Sequence, residues 1–259
     1  ALGVPATRSL AVVATGEPVY REDVVPGAVL TRVAASHIRI GTFEYFSARG
    51  ELDKLRQLLD YTIARHDSEV QGADEPELAF LEQVCQRQAR LIAQWMGLGF
   101  IHGVMNTDNM SIAGESIDFG PCAFMETYQA DAVFSSIDKH GRYAFNNQPR
   151  IAQWNLARLA ESLLPIFPGD PDRALARAGC IIEEFPSWFS NAWLQVMGAK
   201  LGLGIRAELA QDDGALIEQW LDLLQVQQVD FTLAWRYLAD AAEERPQRLL
   251  ALFNEPVAA

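Results

Sequence analysis

The sequence predicts an α+β protein that is mostly α: a small β portion, then a large helical portion, with an irregular, polar-rich centre between them. Three observations carry this. Residues 10–14 and 28–33 are β-branched runs with strand character. From Gly50 onward apolar residues recur at helical spacing, the signature of a buried helix face. Between them and the final helices, the stretch up to Pro149 has few regular signals after Asp118.

Residues 1–5 read as the tail of a helix stopped by Gly3 and Pro5, because glycine ends helices and proline cannot continue them. The two β runs are separated by Gly16, Pro18, Pro26 and Gly27, which predicts two antiparallel strands joined by an irregular connection. Leu52, Leu55, Leu59 and Thr62/Ile63 mark one helix; Leu78, Leu81, Val84/Cys85, Leu91/Ile92 and Trp95 mark the next. The acidic linker 68–76 reads as a surface loop. Gly97 and Gly99 end the second helix, and Ala113-Gly114-Glu115 reads as a hairpin turn between residues 110–112 and 116–118. Helices are expected over 150–164, 171–184, 187–201, 215–225, 230–243 and 246–253, with Trp154, Trp188, Phe189, Trp193, Trp220, Phe231 and Trp235 as core.

Composition narrows the function. The chain has 259 residues, enough for one large domain or two small ones, and 49 % of them are hydrophobic, which provides a core and excludes general disorder. No apolar run is long enough for a membrane span. Acidic residues outnumber basic ones 34 to 21, a balance that repels a phosphate backbone and argues against nucleic acid as a partner. A small anionic ligand such as a nucleotide stays compatible, since local arginines or a metal can invert the field. Cys85, Cys122 and Cys180 are odd in number and widely spaced, so neither a disulfide framework nor a zinc site is indicated. A reduced, intracellular compartment follows, the cytoplasm for a bacterial source.

The chemistry concentrates in 102–121. His102-Gly103-Val104-Met105-Asn106-Thr107-Asp108-Asn109 precedes Asp118-Phe119-Gly120-Pro121 across the hairpin. Asn109 and Asp118 flank that turn. An amide oxygen and a carboxylate there, completed by water and phosphate oxygens, suit Mg²⁺. Read without context, the same residues are also good turn formers. The spacing matches a protein-kinase core, where Asn follows His by seven residues and D-F-G follows a short hairpin. One position departs: Val104 stands where a kinase carries its catalytic Asp, and valine accepts no proton. An Asp stands instead at 108, directly before Asn109. His102 reads as an architectural hydrogen-bonding residue, and Cys122 as a small buried hydrophobe rather than a redox group.

Three segments together, residues 100–121, 32–44 (Arg32-Val33-Ala34-Ala35-Ser36-His37-Ile38-Arg39-Ile40-Gly41-Thr42-Phe43-Glu44) and 141–149 (Gly141-Arg142-Tyr143-Ala144-Phe145-Asn146-Asn147-Gln148-Pro149), closely resemble the selenoprotein O family. The resemblance is strong over residues 1–160 and looser, as helical texture, to about 254. It implies a protein-kinase-like fold acting as an adenylyltransferase, which moves AMP from ATP to Ser, Thr or Tyr hydroxyls of proteins and is linked to redox stress. Carried over by position, Asn109 and Asp118 hold Mg²⁺ (with Mn²⁺ as an alternative), Asp108 is the base for the incoming hydroxyl, and Arg32 and Arg39 reach the ATP phosphates. Residues 1–45 are then the end of the N-lobe and 46–259 the helical C-lobe, with the catalytic loop at 100–121.

The family's Gly-rich loop, phosphate-binding Lys and helix-borne Glu precede the first residue, and its members extend past Ala259. The chain is therefore expected to be a portion of a longer protein, with turnover belonging to the whole. The competing expectations are a phosphotransferase using Asp108 as base, and a catalytically silent pseudokinase scaffold that binds a partner. Arg142 and Tyr143 fall where a kinase has its activation segment.

Overall fold

β-Branched residues build an antiparallel ribbon of β1 (Arg8–Tyr20) and β2 (Val24–Val33), with Arg8 opposite Val33 and Tyr20 opposite Val24. The computed structural model describes residues 2–203 and 211–253 and is α+β, mostly helical. The ribbon corrects the expected irregular connection. The strands run on through Gly16, Pro18, Pro26 and Gly27 to a tight turn at 21–23, with register shifts at Ser9/Ala11 and Ala14/Pro18. Pro18 faces Pro26, so the two residues without a backbone donor fall at one rung. The bulge folds over Gly27, the one buried ribbon residue. A Cβ there would lie 2.7 Å from the Glu17 carbonyl oxygen and 2.8 Å from Thr15 Oγ1, so only glycine fits. Ahead of the ribbon, Ala1 lies outside the described residues, and residues 2–5 are not helical.

A helix unread in the sequence follows. α1 (Ile40–Ala48) buries Ile40 and Phe43, and Thr42 Oγ1 accepts the Arg39 N–H at 3.1 Å. Gly50, at φ +67°, turns the chain into α2 (Leu52–His66), whose Leu55, Leu59 and Ile63 are buried. Residue 45, the expected end of the first portion, lies inside α1. The linker holds a 3-10 turn (Ser68–Gly72) that buries Val70. α3 (Pro76–Gly97) starts on a proline, which is tolerated in a first turn, and buries Leu78, Leu81, Val84, Cys85, Ile92 and Trp95. The Leu, Val and Ile side chains among them contribute about 1.5–3 kcal/mol each on burial. β3 (Phe100–Ile101) then pairs with β4 (Ala123–Phe124), closing residues 102–122 into one loop.

The remaining helices are α4 (Gln148–Leu163), α5 (Pro171–Lys200), α6 (Gln211–Val226), α7 (Phe231–Ala242) and α8 (Gln247–Leu250). α5 replaces the two helices expected either side of Pro186. Proline withholds the N–H that would bond the carbonyl four residues earlier, here that of Ile182. Gln153 Nε2 on α4 donates to that carbonyl at 2.9 Å, so the helix continues with its acceptor satisfied. Trp154, expected in the core, is 42 % exposed. Residues 254–259, where the helical texture and second portion were expected to end, lie outside the described residues. No helix among the described residues is long and apolar enough to cross a membrane.

Two buried clusters share α5: one unites α1 to α4 with its first part, the other packs its end against α6 and α7. At the junction Lys200 Nζ donates to the Gly97 carbonyl that ends α3, and sits 4.6 Å from the Phe231 ring and 4.3 Å from that of Trp235. Burial lowers its pKa to about 7, although the rings favour the ammonium. A folded pKa below the unfolded value means that the unfolded state binds more protons between the two. Stability therefore rises with pH from near 7 toward the unfolded value. Denaturation midpoints of wild type and Lys200→Met should show the wild type gaining over that window and the variant not; parallel curves would exclude this origin.

Candidate functional site

The loop enclosed by β3 and β4 is organised around buried polar side chains. His102 is fully buried. Its backbone N–H donates to Gln148 Oε1 at 3.0 Å, and Gln148 Nε2 donates to the Phe100 carbonyl at 3.0 Å. The imidazole Nε2 donates to the Ile117 carbonyl at 2.7 Å, while Nδ1 accepts the Val104 N–H at 3.4 Å. Those roles fit the neutral ring, and burial holds its pKa below the usual histidine value against the bond to Ile117 and the charge of Asp118. His102 is thus a brace from the start of the loop to the residue before Asp118, as its sequence position implied.

Beyond the brace the chain turns tightly through a 3-10 turn, Thr107–Asn109. Asn109 is buried, its Nδ2 donates to the Val104 carbonyl at 2.9 Å, and its N–H donates to the Asn106 carbonyl at 3.0 Å. This fixes the amide orientation and leaves Oδ1 outside any hydrogen bond. From α4, Asn155 Nδ2 donates to the Met105 carbonyl at 2.8 Å. Asp108 stands exposed on the turn, against the first turn of α1: a Cβ on Gly41 would collide with its Oδ1 and come within 3.1 Å of Cγ. Arg39 Nη1 donates to the Asp108 carbonyl at 3.1 Å, and the Ile40 N–H donates to the Met110 carbonyl at 3.1 Å. The start of α1 is therefore clamped to the loop, and its N-terminal dipole favours a carboxylate there.

The hairpin is equally fixed. Met110 pairs with Ser116 across the turn, where Gly114 takes φ +69°. Three α3 side chains hold it: Arg87 Nη1 donates to the Ile112 carbonyl at 2.7 Å, Gln88 Nε2 to the Ser111 carbonyl at 2.6 Å, and Trp95 Nε1 to Ser116 Oγ at 2.7 Å. Asn109 and Asp118 lie just outside the paired residues at the same end. Asp118 is exposed and adopts φ 62°, a left-handed conformation found mainly at glycine, Asn and Asp and often at functional sites. A cavity of about 540 Å³ beside it is lined by Phe119, Trp95, Phe100, Phe124 and residues 2–6.

Of the five residues singled out in the sequence, the fold brings Arg39, Asp108 and Asn109 into one clamp, with Asp118 at the adjoining hairpin end. Arg32 stands apart, exposed on β2 opposite Ser9. Among the described residues no group of three or more His, Cys, Asp or Glu is placed to hold a metal ion. The residues that could hold a metal are instead one amide, Asn109, and one carboxylate, Asp118. That set fits Mg²⁺, which binds through one or two carboxylates and keeps sites for water and phosphate. Cys122 is half-buried, its Sγ donates to the Phe119 carbonyl at 3.3 Å, and burial pushes its thiol pKa up, so it lacks the character of a reactive thiolate. Sequence reasoning missed Gly41, Gln148, Asn155 and Arg87; only Gly41 and Gln148 fell inside motifs already noted, and without an assigned role.

The family model described as "Protein adenylyltransferase SelO" matches residues 1–256. A "Protein nucleotidyltransferase YdiU" of Chromobacterium violaceum is 58% identical over 257 residues, covering 99% of this chain and 53% of that protein. Proteins of the same name from Rhizobium johnstonii and Cereibacter sphaeroides are 55% identical over 260 residues (51% of that protein) and 54% over 258 (53%), each covering 99% of this chain. The chain spans about half the length of these relatives.

Proposed function

The chain belongs to the protein adenylyltransferase SelO family, and from that premise we propose that the full-length protein transfers AMP from ATP to Ser, Thr or Tyr hydroxyls of protein substrates. The observation that carries this reading is the pairing of Val104 with Asp108: the kinase base position holds a side chain that accepts no proton, while a carboxylate lies against Gly41, one residue before Asn109. In this reading Asp108 takes the proton as the acceptor oxygen bonds to the α-phosphorus, and the bond to the bridging oxygen breaks to release pyrophosphate. Asn109 Oδ1 and the Asp118 carboxylate would hold Mg²⁺, or Mn²⁺ in its place, and that ion would supply charge neutralisation on phosphate oxygens. The Arg39 guanidinium, with Nη1 spent on the Asp108 carbonyl, and the exposed Arg32 present N–H groups suited to phosphate.

The helical portion corresponds to the C-lobe of a kinase-like fold, and residues 1–45 to the end of its N-lobe. A cytoplasmic location, the absence of nucleic-acid partners and a link to redox stress accompany this reading. The test is intact mass of the full-length protein and a hydroxyl-bearing protein acceptor after incubation with Mg²⁺ and ATP, with α- and γ-labelled ATP in parallel. Added AMP retaining the α label is expected. Asp108→Asn should slow the transfer by roughly 10²-fold or more, the lower range for losing a general base. Added phosphate retaining the γ label would make the protein a phosphotransferase. No added mass and no ATP-induced stabilisation would leave a scaffold.

A further inference from the structure

One groove outside the site collects cations that the mechanism does not use. About 710 Å³ in volume, it lies between residues 137–143 and the first turns of α4, and Lys139, His140, Arg142 and Arg150 line it. All four are exposed, and none makes an ion pair among the described residues. The one carboxylate in its wall, Asp138, has both oxygens engaged: Oδ1 accepts the Arg142 N–H at 2.9 Å and Oδ2 the Tyr143 N–H at 2.7 Å. Three permanent cations therefore face one carboxylate in a chain whose formal net charge is −13.

One of these cations, Arg142, is also held in place. The Arg142 guanidinium lies 4.8 Å from the Trp154 ring centroid and 5.7 Å from that of Tyr143. Stacking a guanidinium on aromatic faces orients its planar fork, leaving the N–H edges for a carboxylate. Ile137 is 74 % exposed and Trp154 42 % exposed, giving apolar footing beside the charges. The groove is tied to the candidate site through α4. Gln148 and Asn155 on that helix bond the loop at His102 and Met105, while Arg150 and Trp154, between them in sequence, line the groove.

We propose that this groove docks an acidic segment of the polypeptide substrate near its acceptor hydroxyl. This rests on the reading of the chain as part of a protein adenylyltransferase. An acidic partner is repelled by the chain's overall charge, but that field is screened beyond about 10 Å at 0.1 M salt. Within that range the unpaired arginines and lysine dominate, so the groove selects by charge where the rest of the surface excludes.

The test uses full-length protein and two labelled peptides, each with a central Ser, one flanked by Glu and one by Gln. Anisotropy without nucleotide should show the Glu peptide binding about tenfold more tightly, the scale of a few local charge contacts. The Lys139→Gln/Arg150→Gln variant changes only exposed side chains, so it should keep the wild-type unfolding midpoint and lose most of that preference. Equal affinity for the two peptides, a preference that survives the double substitution, or equal competition by an oligonucleotide of matched charge would each overturn the proposal. AMP transfer is scored separately. Selective binding without transfer sustains the groove and removes the enzymatic reading; transfer blind to flanking charge does the reverse.

Discussion

Asp118→Asn in the full-length protein should fold normally and lose AMP transfer by roughly 10³-fold, the scale of several kcal/mol expected when a metal-held charge is removed. The backbone decides the choice of substitution. Asp118 sits at φ 62°, where most L-residues are strained by about 1–2 kcal/mol while Asn and Asp are tolerated. Asparagine keeps that conformation and removes only the charge; Asp118→Ala removes the charge and adds strain. Comparing the two separates chemistry from folding. The Asn variant should match the wild-type unfolding midpoint, whereas the Ala variant should melt lower and be equally inactive. Transfer retained by Asp118→Asn would remove Asp118 from the metal assignment, and equal melting of both variants would remove the strain argument.

Legibility in the sequence followed the range of the forces involved. The hairpin at 110–118 was readable because its turn is local: Gly114 provides φ +69°, and the flanking residues alternate. The α3 stripe was readable because one helix carries it entire. What failed was set by partners distant in sequence. Pro186 signals a helix break, yet Gln153 on α4 satisfies the carbonyl it orphans, and no local pattern contains that bond. The ribbon continues past Gly27 because the bulge at 15–17 needs a residue without a Cβ, so a glycine that reads as punctuation is a packing residue. α1 is short, and its first turn is defined by contact with the Asp108 turn. In the candidate site, the carboxylates and Asn109 were visible as residue types at a spacing. Gly41, which leaves room for Asp108, and Gln148 and Asn155, which bond the loop at His102 and Met105, reach it from α1 and α4.

Arg87→Met should destabilise the protein by about 3–5 kcal/mol, the loss typical of stranding a buried charge. Arg87 is where the hairpin is fastened to the helical portion. Its Nη2 donates to Asp67 Oδ1, and its Nη1 donates to the Ile112 carbonyl at 2.7 Å. Asp67 is fully buried and its Oδ2 has no hydrogen-bond partner among the described residues, so without the guanidinium the carboxylate stays buried and loses its ion pair. Methionine keeps much of the apolar stem that packs beside Gly114, which confines the loss to the polar contacts. The denaturant midpoint should fall with the slope unchanged, because the surface exposed on unfolding stays the same. Adding Asp67→Asn to Arg87→Met should then recover part of the loss, since the stranded charge rather than the missing attraction dominates it. If the double variant is no more stable than Arg87→Met, the destabilisation lies in the released Ile112 carbonyl. The hairpin that carries Asp118 would then depend on Arg87 for its position rather than for its charge.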